Sequence, residues 1–191
     1  NDKDTDPLIQ AALVHYQFEM IHPFEQYNGI VGRIIVPMVL RRTTEEALSL
    51  MCLSEYLYHN KNEYFDLLRT TQYSGGYIRW IKFFVNAIGE VAKESAKLMI
   101  QYEHIISEDE RQLKDIGSLP KSLWAVYNYL KSFPITTVTV ATEKLGVSFN
   151  TVSKIISSLQ KYGIVEHYEN SSRNRVFRYV ELERSINITS D

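Results

Sequence analysis

The segment HPFEQYNGIVGR, residues 22–33, constrains the fold of this chain more than any other stretch. A proline disfavours the α conformation in the residue before it, so Pro23 predicts that a helix ends near His22. That helix is expected to begin where Asp6 can cap its N-terminus and Pro7 can occupy its first position. The histidine should therefore lie at the break that follows a helix.

A second helix is expected directly after this loop. Asn28 and Gly29 are typical of a tight turn, and the apolar run of residues 34–39 predicts a buried helix behind them. Backbone N–H groups at a helix start, with a glycine that allows close approach, form a site for anions. With His22 on one side and Arg33 on the other, the loop is predicted to bracket a bound phosphate.

The segment resembles the signature of the Fic family, His-x-Phe-x-(Asp/Glu)-Gly-Asn-Gly-Arg-x-x-Arg. The matching residues are His22, Phe24, Asn28, Gly29 and Arg33, and Pro23 and Gly32 are common in the family. The resemblance implies a protein adenylyltransferase, which transfers AMP from ATP to a hydroxyl group of a protein substrate. It also implies a mainly α fold, with ATP and Mg²⁺ bound at the loop.

The resemblance assigns a role to each matching residue. His22 is expected to be the general base for the target hydroxyl, and an imidazole with an ordinary pKa of about 6.5 suits that role. Phe24 is expected to anchor the loop in the core. The expected nucleotide-binding residues are Asn28, Gly29, Gly32, Arg33, Tyr64 and Gln72.

Tyr64 and Gln72 are expected to bind the nucleotide because residues 61–72 resemble the part of Fic domains that lines the adenine pocket. The alternative interpretation of these two positions is a core tyrosine and a surface glutamine.

Three positions depart from the signature. Gln26 stands where the family has the acidic ligand of the metal, and an amide is a poor ligand for Mg²⁺. Tyr27 replaces a glycine and Ile30 replaces an arginine. Two hypotheses follow. One is an adenylyltransferase impaired by its loop, and the other is a non-catalytic, nucleotide-sensing or DNA-binding regulator that keeps the Fic scaffold.

The loop has two further interpretations, one purely structural and one as a metal site. The first is a helix–loop–helix corner in which His22 is only a cap. The second is a metal site, because His15, Glu19 and His22 share one helical face and Glu-x-x-His is a di-iron ligand spacing. Such a site needs a second Glu-x-x-His, which the sequence lacks.

Composition sets wider limits. A chain of 191 residues with 45% hydrophobic and 23% charged residues can bury a core as one large domain or two small ones. The single cysteine, Cys52, lies in an apolar run and predicts a buried, inert thiol in the reducing cytoplasm. No apolar run is long enough for a membrane span, so no membrane partner is expected.

The middle of the chain is predicted to be helical. Three helices are expected at residues 45–57, 63–71 and 77–108, with Asn62 capping the second. Residues 109–119 read as a linker, which divides the chain into a helical domain at 1–116 and a second domain at 117–191. Acidic residues outnumber basic ones before this linker, and the balance reverses after it.

The second domain resembles a winged helix, which many Fic-family proteins carry after the catalytic core. Helices are expected at residues 122–133, in the stretch from Val138 to Gly146 and from Ser148 to Tyr162, strands at 164–168 and 176–182, and a frayed end at 185–191. The predicted fold is thus mainly α, a Fic-type helical core followed by a small α/β winged-helix domain.

A winged helix contacts DNA through its second turn-motif helix and its hairpin. The expected DNA contacts are Ser148, Asn150, Thr151, Lys154, Arg173 and Arg175. The alternative use of such a domain is to dock another protein or a second copy of the chain, as a homodimer.

Overall fold

The structure, a computed structural model, describes residues 5–41, 53–115, 120–168 and 175–187. The contacts between residues divide the chain into two units, Asn1–Lys97 and Leu98–Asp191. The division falls inside a long helix, so that this helix contributes to both units. The predicted boundary at residue 116 lies just past the end of the same helix.

The first unit is helical throughout its described residues. Its helices are α1 (Pro7–Ile21), α2 (Asn28–Leu40), α3 (Leu53–His59), α4 (Lys61–Ser74) and the first part of α5 (Tyr77–Asp115). The predicted start of α1 is confirmed, because the Asp6 side chain accepts a hydrogen bond from the Leu8 N–H and Pro7 is the first helical residue. Its predicted end at His22 is confirmed as well.

Three predictions about the middle of the chain need correction or fall outside the described residues. Helix α4 begins at Lys61 with Asn60 at the cap position, so Asn62 is not the cap. Helix α5 continues to Asp115, so most of the predicted linker is helical instead. Most of the helix predicted at residues 45–57 lies outside the described residues.

The aromatic stripe of α5 forms the centre of the first core. Its buried members are Trp80, Phe83, Phe84, Ala87, Ile88 and Val91. The indole N–H of Trp80, which is fully buried, donates a hydrogen bond of 2.8 Å to the carbonyl of Ala12 in α1. The stripe at helical spacing is therefore core packing that holds α1 against α5.

The second unit combines helices with a small sheet. Beyond the second part of α5, its elements are α6 (Lys121–Ser132), β1 (Ile135–Thr137), α7 (Val138–Leu145), α8 (Phe149–Lys161), β2 (Val165–His167), β3 (Val176–Tyr179) and α9 (Val180–Asn187). The three strands are antiparallel in the order β1-β3-β2. The fold class is as predicted, a mainly α chain with a small α/β part at its C-terminal end.

Local capping signals in this unit are confirmed. The Ser148 side chain accepts a hydrogen bond from the Thr151 N–H at the start of α8, and Gly146 ends α7 with φ at +63°. Gly163 follows α8 with φ at +73°, a conformation that glycine adopts without steric cost.

The last predicted strand is too long. Residues 176–182 were expected to be extended, but β3 ends at Tyr179 and Val180 begins α9. Ser185 is only 4% exposed and lies in this helix, so the predicted frayed end does not begin there, and residues 188–191 lie outside the described residues. Within the described residues, no helix is long and apolar enough to cross a lipid bilayer.

Candidate active site in the loop between the first two helices

His22 occupies a special backbone position at the end of α1. It is the C-cap residue in the left-handed conformation, with φ at +47°, and its backbone N–H donates to the Phe18 carbonyl at 3.0 Å. Its side chain is exposed, and its Nδ1 lies 3.3 Å from the Glu19 carbonyl. A carbonyl oxygen can only accept, so Nδ1 carries a hydrogen, and in the neutral ring the lone pair is then on Nε2. A histidine in this tautomer can take a proton at Nε2.

The loop is closed by the side chain of Asn28. Its Oδ1 accepts a hydrogen bond of 2.9 Å from the Phe24 N–H, and its Nδ2 donates one of 2.6 Å to the Phe24 carbonyl. Asn28 is 2% exposed. Both polar ends of this amide are therefore occupied within the loop, so its side chain supports the loop rather than facing a nucleotide.

Phe24 is not a buried anchor. Its ring is 52% exposed and lies 6.3 Å from the ring of Phe18, measured between centroids. The prediction that it fixes the loop in the core is wrong. The backbone of Phe24 fixes the loop instead, because it provides both partners of the Asn28 side chain.

Arg33 lies close to the N-terminus of α2. Its Nε donates a hydrogen bond of 2.8 Å to the Ser54 hydroxyl, and its Nη1 is 3.1 Å from the point that a Cβ on Gly29 would occupy. The guanidinium thus covers the first turn of the helix, where the backbone dipole is positive. A planar cation and a helix N-terminus at one place can together hold a phosphate group.

The three departures from the signature all lie on the exposed side of the loop. Tyr27 has φ at +67° and is 70% exposed, and Ile30 is 49% exposed. Gln26 is exposed too. Among the described residues, no three or more His, Cys, Asp or Glu side chains are arranged to hold a metal ion. With an amide at position 26, the donor groups of the loop do not fit Mg²⁺.

A buried polar cluster lies behind the loop. His15 of α1 is fully buried, its Nδ1 is 3.0 Å from the Gly32 carbonyl, and its Nε2 is 3.0 Å from the Tyr64 hydroxyl. Since the carbonyl must accept, Nδ1–H donates to Gly32 and Nε2 accepts from Tyr64. Burial lowers the pKa of His15 to about 4, so the ring is neutral at neutral pH. Its two hydrogen bonds join α1, α2 and α4.

The two predicted adenine contacts, Tyr64 and Gln72, do not line a common pocket. Tyr64 is 8% exposed and its hydroxyl is occupied by His15, whereas Gln72 is exposed on α4. The alternative interpretation, a core tyrosine and a surface glutamine, describes these positions. Tyr64 stabilises the loop from behind, because its hydroxyl fixes the ring that holds Gly32.

Gly32 makes room for the cluster. A Cβ on this residue would lie 2.4 Å from Oε1 of Glu19 and 3.2 Å from Cε1 of His15. Sequence reasoning assigned Gly32 to the nucleotide and weighed Glu19 only as a metal ligand. The spacing of His15, Glu19 and His22 along one face of α1 was the available signal for their proximity.

The predicted DNA contacts of the second unit fall into two groups. The hydroxyls of Ser148 and Thr151 lie 2.8 Å apart, and both residues serve the cap of α8. Asn150, Lys154 and Arg175 are exposed. Arg173 lies outside the described residues.

A groove of about 430 Å³ runs along α8. Its lining residues are Val138, Thr139, Phe149, Ser153, Ser157, Gln160, His167, Arg175 and Phe177. No carboxylate is among them. No motif in the sequence marks the α8 residues at positions 153, 157 and 160 as functional.

Two comparisons show what this chain is similar to. Residues 1–40 match the model of the Fic/DOC family, and this match contains the whole segment 22–33. The crystal structure of a Fic family protein from Desulfovibrio desulfuricans is similar over 94% of this chain, with 17% sequence identity and a TM-score of 0.47. This chain spans 51% of the length of that protein chain. The predicted resemblance to the Fic family is confirmed.

The close packing around Gly32 can be tested by comparing its substitution with that of a second helical glycine, Gly89. Gly32→Ala is expected to lower the free energy of unfolding by about 1–3 kcal/mol, because the new methyl group displaces the Glu19 carboxylate and presses on the His15 ring, which two hydrogen bonds hold in place. Gly89→Ala in α5 meets no atom within 4 Å and should raise it by about 0.5–1 kcal/mol. Urea unfolding of both variants measures the difference. Equal stability of the two would contradict the packing described here.

The neutral state of His15 predicts a pH dependence of stability. Its folded pKa of about 4 lies below the unfolded value near 6.5, so the unfolded chain binds the extra proton between these values. Stability is then full above pH 6.5 and falls by about 3 kcal/mol as the pH drops to 4. The His15→Gln variant should lack this loss of stability between pH 6.5 and pH 4. Parallel curves of unfolding free energy against pH for the two proteins would refute the prediction.

Proposed function

Because residues 1–40 carry the Fic segment, we propose that this chain belongs to a protein adenylyltransferase that transfers AMP from ATP to a protein hydroxyl, at a rate limited by its altered loop. The observation that carries the proposal is the hydrogen bond of the His22 side chain. Its Nδ1–H donates to the Glu19 carbonyl, so the neutral ring has its lone pair on Nε2, and Arg33 follows in the helix after the same loop. Such a pair is what proton removal beside a bound phosphate requires.

In the proposed reaction, His22 Nε2 takes the proton of the target hydroxyl while that oxygen attacks the α-phosphorus of ATP. The bond between this phosphorus and the bridging oxygen to the β-phosphate breaks, and pyrophosphate leaves with the electron pair. Arg33 and the N-terminus of α2 hold the outer phosphates, where negative charge accumulates. The products are an AMP-modified protein and pyrophosphate.

The altered loop sets the expected rate. Removing one preorganised electrostatic contact typically costs about 10²–10³ in rate, and Ile30 stands where the signature has an arginine. Since the donor groups do not fit Mg²⁺, no step above depends on a metal ion. If the loop binds ATP without transfer, the chain is instead a nucleotide-sensing regulator on a Fic scaffold. We propose a cytoplasmic setting for either role, on the ground of the single Cys52.

A second candidate function concerns the second unit. The groove along α8 has Arg175 as its cationic residue and no carboxylate in its lining. Asn150 and Lys154 of the same helix are also exposed, so polar and basic groups are present on the surface of this unit. This favours contact with nucleic acid in the manner predicted for a winged helix. One phosphate contact from Arg175 would supply only a weak, salt-sensitive affinity.

The adenylyltransferase proposal is tested by restoring the signature. Gln26→Asp, Tyr27→Gly and Ile30→Arg together should raise transfer of labelled AMP from ATP by about 10²-fold or more, because they return a metal ligand, open the loop and add a positive charge. Transfer onto the chain itself or onto lysate proteins is measured with Mg²⁺ present.

His22→Ala in the restored background serves as the control and should abolish the transfer. Transfer that survives this change would refute His22 as the base. No gain from the triple change, with ATP binding still detected by calorimetry, would favour the nucleotide-sensing regulator.

Nucleic-acid binding is tested at Arg175. Arg175→Ala should weaken duplex DNA binding and reduce the slope of log affinity against log salt by about 1, one unit per lost phosphate contact. Arg69→Ala removes the same charge from the first unit and should leave the slope unchanged. Fluorescence anisotropy at several salt concentrations measures both. An absence of binding at low salt would eliminate this candidate function.

A further inference from the structure

The groove along α8 has the size and the lining of a small-molecule site. Its volume is about 430 Å³, within the range of about 300–1,000 Å³ that is usual for ligand pockets. The α8 residues in its lining are spaced four, four and three positions apart, so they share one face of the helix. They are Phe149, Ser153, Ser157 and Gln160. The other lining residues come from the start of α7, the end of β2 and the beginning of β3.

The apolar part of this lining contains aromatic rings. The His167 ring packs against Phe177, with 4.6 Å between the centroids and 35° between the planes, and His167 is itself exposed. Phe149 is 53% exposed although it lines the groove. A ligand ring can stack on His167 and cover Phe149, and aromatic pairs are stabilised beyond their buried area. The groove therefore favours a planar, aromatic molecule.

Two polar side chains of α8 are available to such a ligand. The Ser157 hydroxyl donates to the Ser153 carbonyl at 3.0 Å, so its hydrogen is used within the helix. Among the described residues, the side chains of Ser153 and Gln160 have no hydrogen-bond partner. Both can therefore bind a hydroxyl or carbonyl substituent on the ligand ring.

Arg175 determines the charge that the groove accepts. It is the only Lys or Arg among the described lining residues, which include no carboxylate, and its guanidinium forms no ion pair within the described part of the chain. A guanidinium binds one carboxylate through two parallel hydrogen bonds. A phosphate monoester carries a charge of about −1.5 to −2 at pH 7, which a single guanidinium does not balance. A carboxylate is the better match.

We propose that the groove along α8 binds a small, planar, aromatic carboxylic acid, with its carboxylate on Arg175 and its ring against His167 and Phe149. The inference goes beyond the proposed function, because Asn150 and Lys154 of the nucleic-acid candidate do not line the groove. It gives the second unit a small-molecule ligand of its own, whether or not the loop of the first unit transfers AMP.

The test uses 2-naphthoate as the probe and the full chain labelled with nitrogen-15. A titration followed by nuclear magnetic resonance should shift the backbone amide signals of Ser153, Ser157 and His167. The shifts should saturate with a Kd of about 10⁻⁴–10⁻³ M, as expected for a ligand of this size. No saturable shift of these signals up to about 10 mM probe would overturn the proposal.

Three comparison ligands test the chemistry. The uncharged 2-naphthalenemethanol should bind about tenfold more weakly, because it lacks the charge. The saturated, non-planar decahydronaphthalene-2-carboxylate should bind about threefold more weakly or worse, because it lacks the aromatic ring. Affinity equal to that of 2-naphthoate for either compound would overturn the assignment. Tighter binding of AMP at the same signals would also overturn it and identify a nucleotide site instead.

Charge variants test the role of Arg175. Arg175→Gln should weaken the binding of 2-naphthoate about tenfold, because the charge-assisted hydrogen bonds are lost. Lys161→Gln is the control. It removes an exposed positive charge at the end of α8, outside the lining, and should change the affinity less than about twofold because water and salt screen it. Equal effects of the two substitutions would overturn the proposal.

A matched pair of serines tests the position of the ligand. Ser157 and Ser158 each donate a hydrogen bond of 3.0 Å to the carbonyl four residues earlier, but only Ser157 lines the groove. Ser157→Leu, at an exposed helical position, should fill the groove and weaken binding about tenfold or more, and Ser158→Leu should retain the affinity of the unmodified chain. Circular dichroism checks that both variants fold. Undiminished binding by Ser157→Leu, or an equal loss in both variants, would overturn the proposal.

Discussion

The pair of hydrogen bonds made by His15 is the interaction on which the first unit depends. One bond holds the Gly32 carbonyl of α2, and the other receives the hydroxyl of Tyr64 from α4. Because His22 ends the helix that carries His15, and Arg33 follows Gly32, this ring joins the helix of the proposed base to the helix of the proposed phosphate ligand. Its low pKa keeps the ring neutral at neutral pH, and its two hydrogen bonds fix the tautomer.

The sequence predicted those features whose causes are local. Pro23 ended α1, Asp6 capped it and Ser148 capped α8, because each acts on backbone groups a few residues away. Features set by packing were not predictable in the same way. Tyr64 was assigned to a nucleotide and is buried. Phe24 was assigned to the core and is exposed, since nothing in the local sequence says which helices lie beside it.

The change from strand to helix at Val180 is a second feature that the local sequence did not predict. Residues 176–182 are β-branched, aromatic or apolar except at Arg178 and Glu181, so composition alone favours a strand to the end of this run. In the structure β3 stops where its partners stop, since β1 and β2 both pair with it no further than Tyr179. The Val180 N–H still donates to the Ile164 carbonyl, and the backbone after it forms α9. Strand length was decided by the neighbouring strands.

The backbone conformation of Tyr27 affects which residues this position can accept during evolution. A side chain held at φ of +67° raises the free energy of the folded state by about 1–2 kcal/mol relative to glycine. A glycine at the same place would relax that strain but give the unfolded chain about 0.5–1 kcal/mol more entropy to lose. The second effect offsets about half of the first and leaves a net difference of about 1 kcal/mol, so thermodynamic stability exerts only weak selection at this position. The residue there is free to follow the demands of ligand binding, and its loss or recovery over evolutionary time need not pass through an unstable protein.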